Sequence, residues 1–194
     1  VDAAYYERIS AVVKHRYKLT SLNFTKTKDI LPYVDEMFEL FSKTYSKLSS
    51  FVPISDAQIE YFKKSYIGFI NPEFIKFVVD ENKKLIAFAI IMPSFSKALQ
   101  KANGKLFPFG IFHLLKARKN PKIVTSYLIG VEDSYKNKGV TAIIFDEYTK
   151  VCNANGVKEM VRTPELEENE AIHKIWKNFK PVTHKRRRTY RLDI

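Results

Sequence analysis

One passage constrains this chain more than any other, the stretch from Ile123 to Cys152. An apolar, β-rich run from Ile123 to Val131 stops at a polar segment. Lys136, Asn137, Lys138 and Gly139 then lead into a stripe of Val140, Ile143, Ile144, Tyr148, Val151 and Cys152 at helical spacing. A strand that ends in a short, basic, Gly-containing turn opening a helix is an arrangement suited to phosphate. The first N–H groups of the helix have no intrahelical partner, its dipole favours negative charge, and Gly lets a ligand approach the backbone. An ordinary strand-to-helix turn with solvated lysines has the same local pattern, so the passage alone does not choose between the two.

The charge balance, 33 Lys and Arg against 21 Asp and Glu for a formal +12, favours anionic partners: nucleic acid, acidic lipid or a polyanionic cofactor. The densest run, Lys185-Arg186-Arg187-Arg188, continues into alternating residues. Tyr190, Leu192 and Ile194 fall on one face, Arg191 and Asp193 on the other, the pattern of a charge-protected edge strand. No aromatic–basic recognition motif and no zinc spacing accompanies the charge, so nucleic acid is not the expected partner. With 45% hydrophobic residues the chain can build a large core. Its longest apolar stretches, such as Leu85 to Met92, fall far short of the ~20 residues that span a bilayer, so no membrane partner is expected. A single cysteine, Cys152, excludes an internal disulfide and a cysteine-based metal site, and no metal is expected. Together with the absence of a visible N-terminal signal, this implies a cytoplasmic protein. The sequence opens at Val1 rather than Met, which leaves a lost upstream segment open.

Residues 1–15, with Tyr5, Tyr6, Ile9, Val12 and Val13 at helical spacing, read as an N-terminal helical extension that packs on the main domain or on an upstream region. The domain proper is expected over 16–194. Arg16 to Phe24 reads as a first strand. Asp29 is placed to cap a helix bearing Val34, Met37, Phe38, Phe41, Tyr45 and Leu48, and Ser55-Asp56-Ala57-Gln58 matches a capping box before Ile59, Phe62 and Tyr66. Phe74–Val79 and Lys84–Met92 form a hairpin. Helical segments follow near Ser94–Lys101 and Ile111–Lys116, then the strand Ile123–Val131 and a long helix with Gly156 as its C-cap candidate. Val157–Thr163 reads as a strand, Glu167–Asn178 as a helix and Val182–Ile194 as a closing strand. This order predicts a mixed, mostly antiparallel sheet of about six to seven strands with helices on both faces.

Order and turn together resemble the GNAT superfamily of acyl-CoA N-acyltransferases over roughly Leu19 to Ile194. The family signature Gln/Arg-x-x-Gly-x-Gly/Ala aligns with Lys136-Asn137-Lys138-Gly139-Val140-Thr141, with Lys replacing the usual first residue and Thr141 the last small one. The resemblance implies a V-shaped gap between the strands Ile123–Val131 and Val157–Thr163. The pantetheine arm of acetyl-CoA or another acyl-CoA would pair there with the backbone of Ile129, Gly130 and Val131. The pyrophosphate would rest on the N–H groups of Lys138, Gly139, Val140 and Thr141, and Lys136 and Lys138 would supply charge. A second family element, an Asn opening the fourth helix, matches Asn169. The implied activity is acyl transfer to a small-molecule or peptide amine. A non-catalytic CoA-binding or scaffold role is the alternative, and a nucleic-acid module a more distant one.

Where many members carry a Tyr that protonates the departing thiolate, this chain has Trp176, whose indole gives up no proton at neutral pH. The strand Ile123–Val131 holds no carboxylate at the position where the family often has its base. Glu132, just past its end, and Glu168, before the last helix, are the catalytic candidates. Glu165, His113 and His173 are alternatives that read equally as structural or exposed.

Overall fold

Two strands without a polar face form the centre of the sheet. In the computed structural model, which describes residues 3–49, 51–67, 70–190 and 192, β2 (Ile75–Val79) is buried throughout and β3 (Leu85–Pro93) almost throughout. Such near-continuous apolar runs belong to strands covered on both sides. The turn between them is held by Asp80, whose Oδ1 accepts from Asn82 N at 2.9 Å and Lys84 N at 3.0 Å. With β1 (Thr20–Leu22), β4 (Ile123–Val131) and β5 (Glu159–Arg162), the sheet runs β1-β2-β3-β4-β5. Every pairing is antiparallel except β4 with β5.

The helices are α1 (Ala3–Tyr17), α2 (Val34–Tyr45), α3 (Asp56–Phe62), α4 (Ser96–Lys101), α5 (Gly110–Lys119), α6 (Val140–Ala154) and α7 (Glu170–Trp176). The chain divides into two compact units, Asp2–Pro164 and Glu165–Ile194, and the whole sheet lies in the first. On one face of the sheet, Val34, Met37 and Leu40 of α2 pack on Phe77, Val79, Phe88 and Ile90. Alternation turns Ala87 and Ala89 to the opposite face, where their small side chains leave room for α6.

On that second face α1 lies along α6, and a buried polar cluster joins them to the sheet. Glu147 of α6 accepts from Lys14 Nζ at 3.0 Å, Ser21 Oγ at 2.7 Å and Asn23 Nδ2 at 3.0 Å. Asn23 Oδ1 in turn accepts from Lys76 Nζ at 2.6 Å. Burial works against the charge of the Glu147 carboxyl, but the bonds from Ser21, Lys14 and Asn23 outweigh it and hold the group at about 2. The α1 residues thus belong to this first unit.

The capping box forms as expected: Ser55 Oγ accepts from Gln58 N at 3.3 Å, and Gln58 Oε1 accepts from Ser55 N at 2.9 Å. Past the end of α6, Gly156 takes φ +63° and Val157 N closes on Cys152 O at 2.9 Å. Other expectations are corrected. The sheet has five strands among the described residues, not about six to seven. The closing strand is absent over 182–190, where every residue is exposed, Val182 and Tyr190 each at 83%. Four consecutive cations leave no face to bury, so nothing offsets the cost of ordering the segment; Arg191, Asp193 and Ile194 lie outside the described residues. The first strand shrinks to three residues, because α1 continues to Tyr17 and Lys18 (φ +51°) makes the turn. Asp29 caps no α-helix. Two 3-10 turns, Thr27–Asp29 and Leu31–Tyr33, intervene, the second opened by Pro32, and α2 starts at Val34 with Asp35 and Glu36 in its first turn.

Candidate active site

The site begins with an irregularity in β4. Ile90 and Ile91 of β3 face Leu128 and Ser126, so Tyr127 is an extra residue, a bulge that bends the strand and increases its twist. Before the bulge, β4 pairs with β5 in parallel from Ile123↔Glu159 to Ser126↔Arg162. Thr163 N adds one more bond to Ser126 O at 3.2 Å, and Pro164, lacking an N–H, follows. Beyond the bulge, Leu128 to Val131 stay paired with β3 but have no strand on their other edge among the described residues.

Which backbone groups face that open edge follows from the ladder. Glu132 N donates to Ile86 O at 2.8 Å, so the alternation of an antiparallel pair turns the N–H and C=O of Gly130 toward β3 and those of Ile129 and Val131 away from it. Gly130 is required here for packing: a Cβ at this position would lie 2.3 Å from the Phe88 ring. The outward groups of Ile129 meet Tyr45, at the end of α2. Its hydroxyl donates to Ile129 O at 3.1 Å and accepts from Ile129 N at 3.3 Å. The residues flanking Tyr45 reach the same strand end. Lys43 pairs with Glu132 at 2.6 Å and Lys47 with Asp133 at 2.7 Å.

The chain then passes through a 3-10 turn, Asp133–Tyr135, into the basic turn. Asn137 (φ +60°) and Gly139 (φ +79°) are both left-handed, and α6 opens at Val140. Lys138 N donates to Tyr135 O at 3.3 Å, and Ala142 N donates to Gly139 O at 2.9 Å. Between them lie Gly139, Val140 and Thr141, the residues at which an α-helix has no intrahelical bond for its N–H groups. Lys136 Nζ lies 2.6 Å from Asp133 Oδ1. Hydrogen bonds from Lys136 and Lys47 hold the exposed Asp133 carboxyl at about 2. The Lys138 ammonium sits over two rings, 5.3 Å from the centre of Tyr17 and 5.1 Å from that of Tyr135.

Of the residues selected from sequence, Ile129, Gly130, Val131, Glu132 and the turn Lys136–Thr141 follow one another along the open half of β4 and into α6. Glu132 is engaged with Lys43. Glu168 and Asn169 belong to the second unit. Glu168 is exposed there, and Asn169 accepts from Ile172 N at 3.3 Å as the cap of α7. In that unit His173 Nε2 lies 3.2 Å from Leu166 O, and Trp176 is buried edge-on to Phe179 at 5.5 Å between ring centres. Burial pushes the thiol of the half-buried Cys152 up to about 11, which suits an inert thiol. Burial likewise raises the Tyr148 hydroxyl well above its ordinary value.

Two features escaped the sequence reading. From sequence Tyr45 is a member of the apolar stripe of α2 or, by the family resemblance, one of the aromatics lining the acceptor side; neither reading gives its hydroxyl the backbone of Ile129 as a partner. The other is the neighbourhood of Gly139. A Cβ there would meet Val13 Cγ2 of α1 at 3.1 Å in a left-handed conformation, so a substitution would strain the fold as well as block a ligand.

No family model and no curated protein matches this sequence. Solved structures do match. An aminoglycoside acetyltransferase from an uncultured soil metagenomic sample superposes with a TM-score of 0.53 at 12% identity, over 91% of this chain and 95% of that one. AAC(6')-Iy bound to the bisubstrate analogue CoA-S-monomethyl-acetylneamine gives 0.54 at 12% identity, over 91% and 99%. The ribosomal-protein-alanine N-acetyltransferase of Brucella melitensis biovar Abortus 2308 gives 0.50 at 11% identity, over 90% and 98%. With its mixed sheet, its helices on both faces and its open-edged β4, this chain has the fold of the GNAT acyl-CoA N-acyltransferases.

Proposed function

We propose that the protein is a cytoplasmic N-acyltransferase that moves an acetyl or other acyl group from CoA to a small-molecule or peptide amine. The observation that carries this reading is the open edge of β4 beyond Tyr127, which runs directly into the left-handed turn and the start of α6. An extended arm with amide groups is the ligand that such an edge fits. The outward N–H and C=O groups of Ile129 and the outward C=O of Val131 pair with the arm. The N–H groups of Gly139, Val140 and Thr141 face the pyrophosphate, and Lys136 and Lys138 balance its charge.

Tyr45 already makes the contacts that such an arm would make at Ile129, a sign that these groups require a partner. Acyl-CoA binding then displaces the Tyr45 hydroxyl. In the reaction the amine nitrogen bonds to the thioester carbonyl carbon, the C–S bond breaks to release CoA as the thiolate, and solvent takes the amine proton and returns one to the thiolate. Val131 N–H offers a hydrogen bond to the carbonyl oxygen. Alignment of the two reactants supplies the main rate advantage in a site where Glu132 is paired with Lys43.

The test is calorimetric titration with CoA at moderate salt, followed by an acetyl-CoA assay over amines, aminoglycosides and peptide N-termini. Saturable CoA binding and turnover of at least one amine are expected. Absence of CoA binding would overturn the reading. A second reading, a CoA-binding domain without transfer activity, is favoured specifically by Trp176; tight CoA binding with no turnover across the panel would select it.

A further inference from the structure

A surface remote in sequence from the turn has a different character. Between β3 and β4 the chain makes a helical hairpin, α4 and α5, within residues 94–122. This segment carries seven Lys or Arg residues and no Asp or Glu. Lys97, Lys101, Lys105, Lys116 and Lys119 are all exposed, and none pairs with a carboxylate among the described residues. The same segment concentrates exposed apolar side chains. Phe107 is 79% and Phe109 72% exposed in the connection between the helices, and Phe112 is 63% exposed on α5, with Leu99, Leu106 and Leu115 also open.

Their spacing makes one composite surface. On α5, Phe112 and Leu115 precede Lys116 and Lys119 by one helical turn each, so apolar and cationic groups share a face. Exposed apolar side chains clustered in one segment of a folded domain mark a contact site. Three considerations select its partner. The core of a protein–protein interface is depleted in lysine, whereas here lysine is interleaved with phenylalanine. Leucines add nothing to base stacking, so a nucleic acid would leave half the patch unused. An anionic bilayer surface uses both halves: rings and leucines enter the acyl boundary while lysine stems snorkel to the phosphates.

We infer that the α4–α5 hairpin docks this protein on anionic lipid surfaces. No helix among the described residues is long and apolar enough to cross a membrane, and the contact inferred here is peripheral. It is independent of the acyltransferase reading.

The experiment is vesicle flotation at 100 mM salt. It uses the full chain with vesicles of pure phosphatidylcholine and of phosphatidylcholine with phosphatidylglycerol at about 70:30. Binding at least tenfold stronger to the anionic vesicles is expected. Phe107→Ser/Phe109→Ser and, separately, Lys101→Glu/Lys116→Glu should each weaken it tenfold or more with unchanged thermal stability and CoA affinity. Equal binding to both vesicles, no binding to either, or variants that float like the unaltered protein would overturn the inference. So would a concentration-dependent dimer abolished by the Phe variant, which would identify a second copy as the occupant. A DNA oligomer held more tightly than the anionic vesicles and released by the Lys variant alone would reassign the surface to nucleic acid.

Discussion

Two carboxylates near the start and middle of the same turn–helix segment are held at about 2, and they reach that value by opposite routes. Asp133 lies exposed before the basic turn, with two lysine ammonium groups on it. Glu147 is buried against the sheet and accepts from an ammonium, a hydroxyl and an amide. A similar acidity therefore carries different consequences. Around Glu147 the Ser21 hydroxyl and the Asn23 amide N–H would lose their acceptor inside the protein if the carboxylate were removed, and Lys14 would keep only Ser21 Oγ, at 2.8 Å. Around Asp133 the lysines would turn to solvent, or to a ligand phosphate. The first cluster serves the fold, and the second stands where an anion would compete for its lysines.

The largest effect expected follows from the first cluster. Glu147→Ala removes the acceptor that Lys14, Ser21 and Asn23 share and should lower unfolding free energy by about 3–5 kcal/mol in urea titration, the range for breaking a buried pair. Glu147→Gln, which keeps an acceptor for Asn23, should lose less. A Glu147→Ala loss below about 1 kcal/mol would mean that the cluster is solvated and the contrast with Asp133 illusory.

Next is acid. A carboxyl whose folded value lies below its unfolded one contributes stability at pH above the unfolded value, and loses it as pH falls through the folded one. For Glu147 that window runs from 4.5 down to about 2. Urea midpoints should decline across it, and the decline should flatten in Glu147→Gln. Asp133 has the same sign, but its lysine pairs are exposed, so its share should shrink in 0.5 M salt while that of Glu147 persists. A salt-insensitive Asp133 share would break the distinction.

How far the sequence reveals these features depends on whether a feature is periodic or relational. The strand–turn–helix passage, the hairpin Phe74–Met92 and the cap at Ser55 are local patterns, and each appears in the structure. Glu147 has no local mark in the sequence, because its partners Lys14, Ser21 and Asn23 come from far along the chain. Tyr45 was hidden for the same reason: α2 meets Ile129 only after the sheet has formed. The closing strand failed because alternation at Tyr190 and Leu192 describes a face without supplying anything to cover it. The bulge at Tyr127 had no local mark, since it depends on the register that β3 imposes.

The second cluster gives a ligand-binding prediction. If Asp133 occupies the lysines that a pyrophosphate would use, Asp133→Asn should raise CoA affinity about tenfold at low salt, and the gain should fade as salt screens the charges. Thermal stability should hardly move, since both lysine pairs are exposed. Weaker CoA binding in this variant would mean that Asp133 positions the turn rather than competes at it. Lys136→Ala separates the cases, because it removes the contested cation and should weaken binding in a salt-dependent way.

The smallest effect belongs to Tyr45, which resembles Asp133 in occupying its site with a group of the protein's own. Its hydroxyl satisfies both outward groups of Ile129, and a ligand arm at the same place must break those two bonds before making its own. Tyr45→Phe removes the hydroxyl and keeps the ring that stacks on Phe41 at 4.5 Å. The free protein should lose about 1 kcal/mol, the net worth of an ordinary hydrogen bond. The same amount no longer opposes binding, so CoA affinity should rise by up to about fivefold, with no dependence on salt. That independence separates Tyr45 from Asp133: one competitor is a hydrogen bond, the other a charge. Unchanged stability with weaker CoA binding would show that the hydroxyl contacts the ligand rather than yielding to it, and Tyr45 would then be a binding residue of the site.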